Sequence, residues 1–290
     1  MNIRSLSVLP RLLDERRALL GVGLAALLCG CATPAQHADA LAAEGGLSRT
    51  VLQGTRFHHV AYMRLGGGEP LFLFIDGDGT PWTDGGRRVA EDPTPRRPLG
   101  LELALSTRHG SVLYLGRPCY FGLAGSAECQ PSDWTVGRYS REVVESLAAA
   151  INGFALAHGF RQVIVVGHSG GGTLAVLVAP YVSGLRAVIS IAANLDVKAW
   201  TAYHGYLPLS DSLDPADSPP LASEVTEIVL VGGVDTDVPP ALVQTYLARH
   251  PTAQLWTFAD FDHRCCWQKE WPTLLPRLMA QVAVGEAPPP

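Results

Sequence analysis

The sequence predicts an α/β protein with a mostly parallel sheet and helices on both faces. Two observations carry this expectation. Short, largely apolar runs recur at 71–75, 112–115, 163–166, 187–191 and 228–231, as strands buried on both faces require. Segments with apolar residues at helical spacing, at 98–107, 138–158, 173–182, 241–250 and 267–284, alternate with them. With 290 residues, 47% of them apolar, the chain can build one good-sized core.

Each element can be justified in turn. Residues 47–52 and 57–65 are expected to form an antiparallel pair around Gly54. The run at 71–75 is a short buried strand, followed by a helix at 98–107 and a strand at 112–115. Residues 117–138 hold two cysteines and several turn formers. The helix at 138–158 stops at Gly159, which suits the left-handed position after a helix. Strand 163–166 leads into a Gly-rich turn and a further helix. Residues 197–226 break the rhythm with Pro, Ser, Asp and aromatic residues, and form a short insert in place of a large lid. Strands at 228–231 and 254–258 flank the helix at 241–250. The helix at 267–284 precedes a flexible tail at 285–290.

The N-terminal segment is a separate object. Arg4, Arg11, Arg16 and Arg17 precede an apolar run at 18–28. That run is short for a membrane span and fits the hydrophobic region of a signal peptide. It ends in Leu28-Cys29-Gly30-Cys31, which resembles the bacterial lipobox. The resemblance implies a signal peptide at 1–30, a lipidated Cys31 and a tether at 31–46 before the domain at 47–284. It also implies a place in the cell envelope, most simply at the outer membrane. A net charge of −5 with no basic cluster in the body of the chain argues against nucleic-acid binding.

Export suits the remaining cysteines, Cys119, Cys129, Cys265 and Cys266. Four cysteines allow three pairings. A Cys119–Cys129 bridge closing one loop is the preferred one, which leaves Cys265 and Cys266 as a neighbouring pair, bonded or free. The spacing lacks a CxxC pair, so a zinc site is not expected.

The chemistry centres on VIVVGHSGGGTLAVLVAP, residues 163–180. A β-branched strand runs into Gly167-His168-Ser169-Gly170-Gly171 and then into a helical pattern. This is G-x-S-x-G in the strand–turn–helix context that exposes a serine hydroxyl. A serine needs a base, and the base needs an orienting acid. The strand at 228–231 leads to Gly-Gly-Val-Asp235-Thr-Asp237-Val-Pro239, and the strand at 254–258 leads to Asp260-Phe-Asp262-His263.

On these three motifs, in this order, residues 47–284 resemble the α/β-hydrolase family. The resemblance implies an eight-stranded, mostly parallel sheet. It also implies Ser169 as nucleophile, His263 as base and Asp235 as acid, with Asp237 the alternative acid. His168, beside the serine, is expected to point away from it. No cofactor or metal is implied. The expected activity is that of a serine hydrolase on a small-molecule carboxylic ester; peptidase, thioesterase and acyltransferase chemistry use the same groups.

The stretch LFLFIDGDGT, residues 71–80, raises a rival. Asp76-Gly-Asp78-Gly resembles the opening motif of the haloacid dehalogenase-like phosphatases, in which the first Asp attacks phosphorus. That scheme needs a lysine and a magnesium-binding acidic pair, and leaves GHSGG and His263 without a role. A non-catalytic surface lipoprotein is a further alternative. Under the α/β-hydrolase resemblance, the 76–80 loop instead supplies half of an oxyanion hole. The donors are then the N–H groups of Asp78 and Gly170. Asp76 stands where the family often has His. The carboxylates of Asp76 and Asp78 are expected to be turned away or paired, with Arg117 or Arg138 as partners.

Overall fold

In a computed structural model, the structure describes residues 32–66 and 68–284. The signal-peptide and Cys31 expectations therefore lie outside the described residues. A helix α1 (Pro34–Glu44) comes first, where the sequence suggested a tether. Its Ala38 and Ala42 are buried, and Tyr62 donates a hydrogen bond back to Asp39 at 2.8 Å. The small alanine repeat, not polarity, is what decides the conformation there.

Strands β1 (Ser48–Gln53) and β2 (His58–Arg64) form the expected antiparallel pair. Then come β3 (Leu71–Ile75), β4 (Trp82–Thr83) and β5 (Arg88–Val89). Helix α2 (Leu99–Ser106) precedes β6 (Ser111–Leu115), and α3 (Arg141–His158) precedes β7 (Val163–His168). Helix α4 (Gly170–Val178), β8 (Leu185–Ile191), α5 (Val197–His204) and β9 (Thr226–Gly232) follow. The chain closes through α6 (Gln244–Arg249), β10 (Gln254–Phe258) and α7 (Trp267–Val284).

The main sheet has eight strands in the order β1-β2-β6-β3-β7-β8-β9-β10. β2 is antiparallel to both of its neighbours, and all the other pairings are parallel. Every residue of β3, β6 and β7 is buried, whereas β1 and β10 at the edges alternate with solvent. Continuous apolar strands inside and alternating strands outside are what a two-sided helical cover produces. Helix α2 packs on α7, and α3 packs on α4.

Two elements depart from the sequence reading. β4 and β5 pair as a short hairpin outside the main sheet, through Trp82 with Val89 and Thr83 with Arg88. The insert contains α5, capped by the Asp196 carboxylate on Ala199 N–H at 2.8 Å and ended by left-handed Gly205. Among the described residues, no helix is long and apolar enough to cross a membrane.

Candidate active site

Parallel strands place their following loops along one sheet edge, and the site is built there. Ser169 sits between β7 and α4 with φ 54° and ψ −128°. A non-glycine residue in this region stores roughly 1–3 kcal/mol of strain. The neighbours explain why it is tolerated. A Cβ at Gly167 would lie 2.1 Å from the Gly171 carbonyl oxygen, and one at Gly171 would lie 2.2 Å from that of Ile75. Only glycine lets strand, turn and helix approach so closely. The Ser169 N–H donates to Ile191 O at 2.9 Å, which ties the turn to β8.

The loop after β10 carries His263. Trp267, fully buried in the first turn of α7, donates from Nε1 to the Asp262 carbonyl at 3.1 Å. The Asp262 carboxylate caps the N–H groups of Arg264 and Cys265 at 2.7 and 2.6 Å. The imidazole is thus held against the serine, with Nε2 3.0 Å from Ser169 Oγ. Its Nδ1 lies 2.9 Å from Oδ2 of Asp235. The other oxygen of Asp235 accepts the N–H groups of Asp237 and Val238, each at 2.8 Å. The structure therefore brings Ser169, His263 and Asp235 into one hydrogen-bonded chain. Asp237 contributes backbone only: its carbonyl accepts from Trp200 Nε1 and faces His204 Nε2, both at 2.8 Å.

Asp235, Asp237 and His263 could in principle surround a cation. Both oxygens of Asp235 and Nδ1 of His263 are already engaged, so this trio fits an acid–base pair better than a metal centre.

His168 does turn away from the serine. It is buried, and its Nε2 lies 2.8 Å from the His263 carbonyl oxygen. Burial, then the nearby His263 ring, pushes its pKa down to about 3, so it is a neutral imidazole donating from Nε2.

The two carboxylates of the 76–80 loop have opposite environments. Asp76 is buried; its Oδ1 accepts its own neighbour Gly77 N–H at 2.8 Å, and Tyr114 donates to Oδ2 at 3.3 Å. Burial raises its pKa to about 6. Asp78 is paired with both arginines the sequence suggested. Arg117 Nη1 bonds its Oδ1, Arg138 Nη1 bonds its Oδ2 at 2.7 Å, and the Tyr139 hydroxyl reaches Oδ1 at 2.8 Å. Burial alone would raise the Asp78 pKa, but the two guanidiniums hold it well below the ordinary carboxylate range. Arg138 is fixed in turn through its Nε on the Thr135 carbonyl at 2.7 Å and its own carbonyl on Arg117 Nη2 at 2.8 Å. Tyr120 donates to the Asp78 carbonyl at 2.8 Å. No local spacing announced the tyrosines.

With its side chain and carbonyl so held, Asp78 keeps its N–H free of any described acceptor, as does Gly170. Both residues line the cleft that contains Ser169 and His263. That cleft has a volume of about 960 Å³ and is bordered by Trp82 of the hairpin and by Trp200, His204, Tyr206 and Leu207 of the insert.

Disulfides join Cys119 to Cys129 and Cys265 to Cys266. The first closes the loop between β6 and α3 that carries Tyr120; the second follows the His263 loop directly.

Comparison with known proteins decides the fold. No protein-family model and no curated relative matches the sequence. Solved structures do. A bacterial membrane phospholipase A, described as a virulence factor, shares 15% identity at a TM-score of 0.57, covering 95% of this chain and 98% of its own. An esterase from Pyrococcus furiosus gives 15% identity and 0.57, with 88% and 95% covered. A lidless α/β serine hydrolase from Xanthomonas campestris gives 17% and 0.52, with 84% and 97% covered. The chain has the α/β-hydrolase fold. In this α/β-hydrolase framework, Ser169 occupies the turn after the fifth strand of the main sheet in chain order, and Asp235 and His263 follow the last two strands. The β4–β5 hairpin and the 197–226 insert are the elements that shape the cleft.

Proposed function

We propose that the protein is a lipid-anchored serine hydrolase that cleaves carboxylic esters through an acyl-enzyme. The observation that carries this reading is the hydrogen-bonded chain from Asp235 through His263 to Ser169, facing two free N–H groups. Asp235 accepts a hydrogen bond from Nδ1–H and fixes the tautomer, which leaves the Nε2 lone pair aimed at the serine hydroxyl. His263 takes the Oγ proton as Ser169 attacks the ester carbonyl. The carbonyl oxygen becomes an oxyanion, met by the N–H groups of Asp78 and Gly170 and by the N-terminus of α4. His263 then protonates the departing alcohol, and water repeats the sequence to release the acid.

The guanidinium clamp explains how an aspartate can serve here. Its charge is compensated from behind, so it does not oppose the oxyanion. Asp76 is unsuited to attack phosphorus, because its carboxyl is buried against Gly100 and bonded within its own loop. The fold neighbours described as esterase and phospholipase support ester over phosphate chemistry. The lipobox-like stretch at 28–31 supports anchoring at the envelope.

The test is a fluorophosphonate probe on the described domain, run beside aryl esters, amides and thioesters. Labelling that disappears in Ser169→Ala, together with preference for esters, is expected. Labelling that survives Ser169→Ala would remove the serine from the mechanism, and faster amide cleavage would replace the esterase reading.

A further inference from the structure

The chain as a whole is acidic, with a net charge of −5, yet the cleft is rimmed by arginine. Arg96, Arg97 and Arg264 line it and are exposed, and among the described residues none of them forms an ion pair. Arg138 lines it as well, with Arg117 behind; these two share the single carboxylate of Asp78. Four guanidiniums line the cleft, those of Arg96, Arg97, Arg138 and Arg264, against the three carboxylates of Asp76, Asp78 and Asp237, with Arg117 and Asp235 behind them. Unpaired surface arginines are ordinary singly. Three on one cleft of an acidic protein make a local field of the sign opposite to the background.

Their position is informative. Arg264 follows His263 in the chain, and its Nη2 donates to the Arg97 carbonyl at 2.9 Å. That bond holds the two residues together on the rim beside the imidazole. In the ester-hydrolase reading, on which this inference rests, His263 protonates the leaving oxygen, so the alcohol half of the substrate departs past this rim. Much of the remaining lining is apolar, with Trp82, Tyr206 and Leu207 among the exposed residues.

We propose that the alcohol half of the ester carries a negatively charged group, a carboxylate or a phosphate, and that Arg97 and Arg264 receive it, with Arg96 adding to the field. A guanidinium fork suits either anion, because its parallel N–H groups match two oxygens at once. The arginines set which ester is chosen and take no part in bond making.

The test uses three soluble esters of equal size on the same chain: phenyl acetates carrying a carboxylate, no charge, or a trimethylammonium group on the ring. The expected order of kcat/KM is anionic, neutral, cationic, with about tenfold between the first two. The preference should shrink as salt is raised from about 0.05 to 0.5 M, since exposed charges are screened. The double variant Arg97→Gln, Arg264→Gln should lose about tenfold more on the anionic ester than on the neutral one. Arg97→Glu should turn the order toward the cation. Neutral ester cleaved and Ser169 labelled, but with no charge order, would overturn this inference alone. Neither ester cleavage nor labelling would overturn the hydrolase reading and this one with it. A preference seen only on phosphatidylglycerol vesicles, and not with soluble esters, would make the rim a lipid-surface contact and overturn the assignment to the leaving group.

Discussion

Nε2 of His168 lies 2.8 Å from the carbonyl oxygen of His263, so the residue beside the serine holds the peptide that carries the imidazole. The two rings are 5.0 Å apart at their centres. The turn that carries Ser169 and the loop that carries His263 are therefore joined by a side chain as well as by the Ser169–His263 contact. Replacing His168 by Ala leaves this part-buried carbonyl without its donor, a loss of about 1–3 kcal/mol in the hold on the His263 loop. We expect kcat to fall about 5- to 100-fold while KM changes little, measured on a soluble aryl ester. A change confined to KM would show that His168 serves substrate binding instead.

Asp235 and Asp237 are separated by an isosteric test. Asp235→Asn keeps the loop shape but offers Nδ1 the wrong partner, and kcat should drop by about 10⁴. Asp237→Asn keeps every backbone bond that Asp237 makes, and kcat should stay within about threefold, because its carboxylate has no partner in the chain from acid to serine. Equal losses in the two variants would undo the assignment.

Asp78→Asn tests the clamp. It leaves the Asp78 N–H in place but strands Arg117 and Arg138 without their counter-charge. Removing one partner of a buried ion pair costs about 3–5 kcal/mol, which a urea titration should show directly. The kcat should fall as well, because the donor loop loses its fixed position. A variant as stable and as active as the parent would mean that the clamp is ornamental.

Acid should weaken the fold. Burial lowers the pKa of His59 to about 4 and that of His168 to about 3, against 6.5 for a free imidazole. The unfolded chain then binds protons that the folded chain refuses, so stability is lost as the pH falls from about 6.5 to about 4. Asp76 has the opposite sign: its pKa is raised to about 6, and its contribution is lost as the pH rises through that value. His250 is lowered with the two imidazoles, and Asp133, Asp214 and Glu227 are raised with Asp76 by burial. The large shifts in this window are those of the two imidazoles and the one carboxyl, and the imidazoles outweigh it. Melting temperatures should therefore decline between pH 6.5 and 4, and a flat or rising profile would contradict the neutral burial of both histidines.

The parts of the site that could be read in the sequence are those encoded locally. Ser169 sits in a Gly-rich turn flanked by its own strand and helix, and Asp235 and His263 each follow a strand within a few residues. The two edge and six inner strands of the main sheet are legible for the same reason, as alternating or largely apolar runs. The clamp was only half legible. Arg117 and Arg138 are 39 and 60 residues from Asp78, and the Tyr139 bond spans 61; contacts of that range leave no periodic trace. The β4–β5 hairpin has two residues per strand, too few for any pattern. Helix α5 is bracketed by Asp196 and Gly205 as cap and stop, but its eight residues are overshadowed by the Pro-rich stretch that follows in the same insert. Helix α1 is hidden in the sequence because its alanines suit a tether by composition as well as they suit a packing face.

Gly170 carries a consequence of the clamp for how this site can change. The turn itself has steric need of Gly167 and Gly171, but a Cβ at Gly170 would fall 2.0 Å from Oδ1 of Asp78 and 2.5 Å from the Tyr139 hydroxyl. The glycine after the serine is thus answerable to a side chain on another loop. A selection started from a crippled Gly170→Ala chain should return suppressors at Asp78 and Tyr139, and the two loops would drift through sequence space as a linked pair.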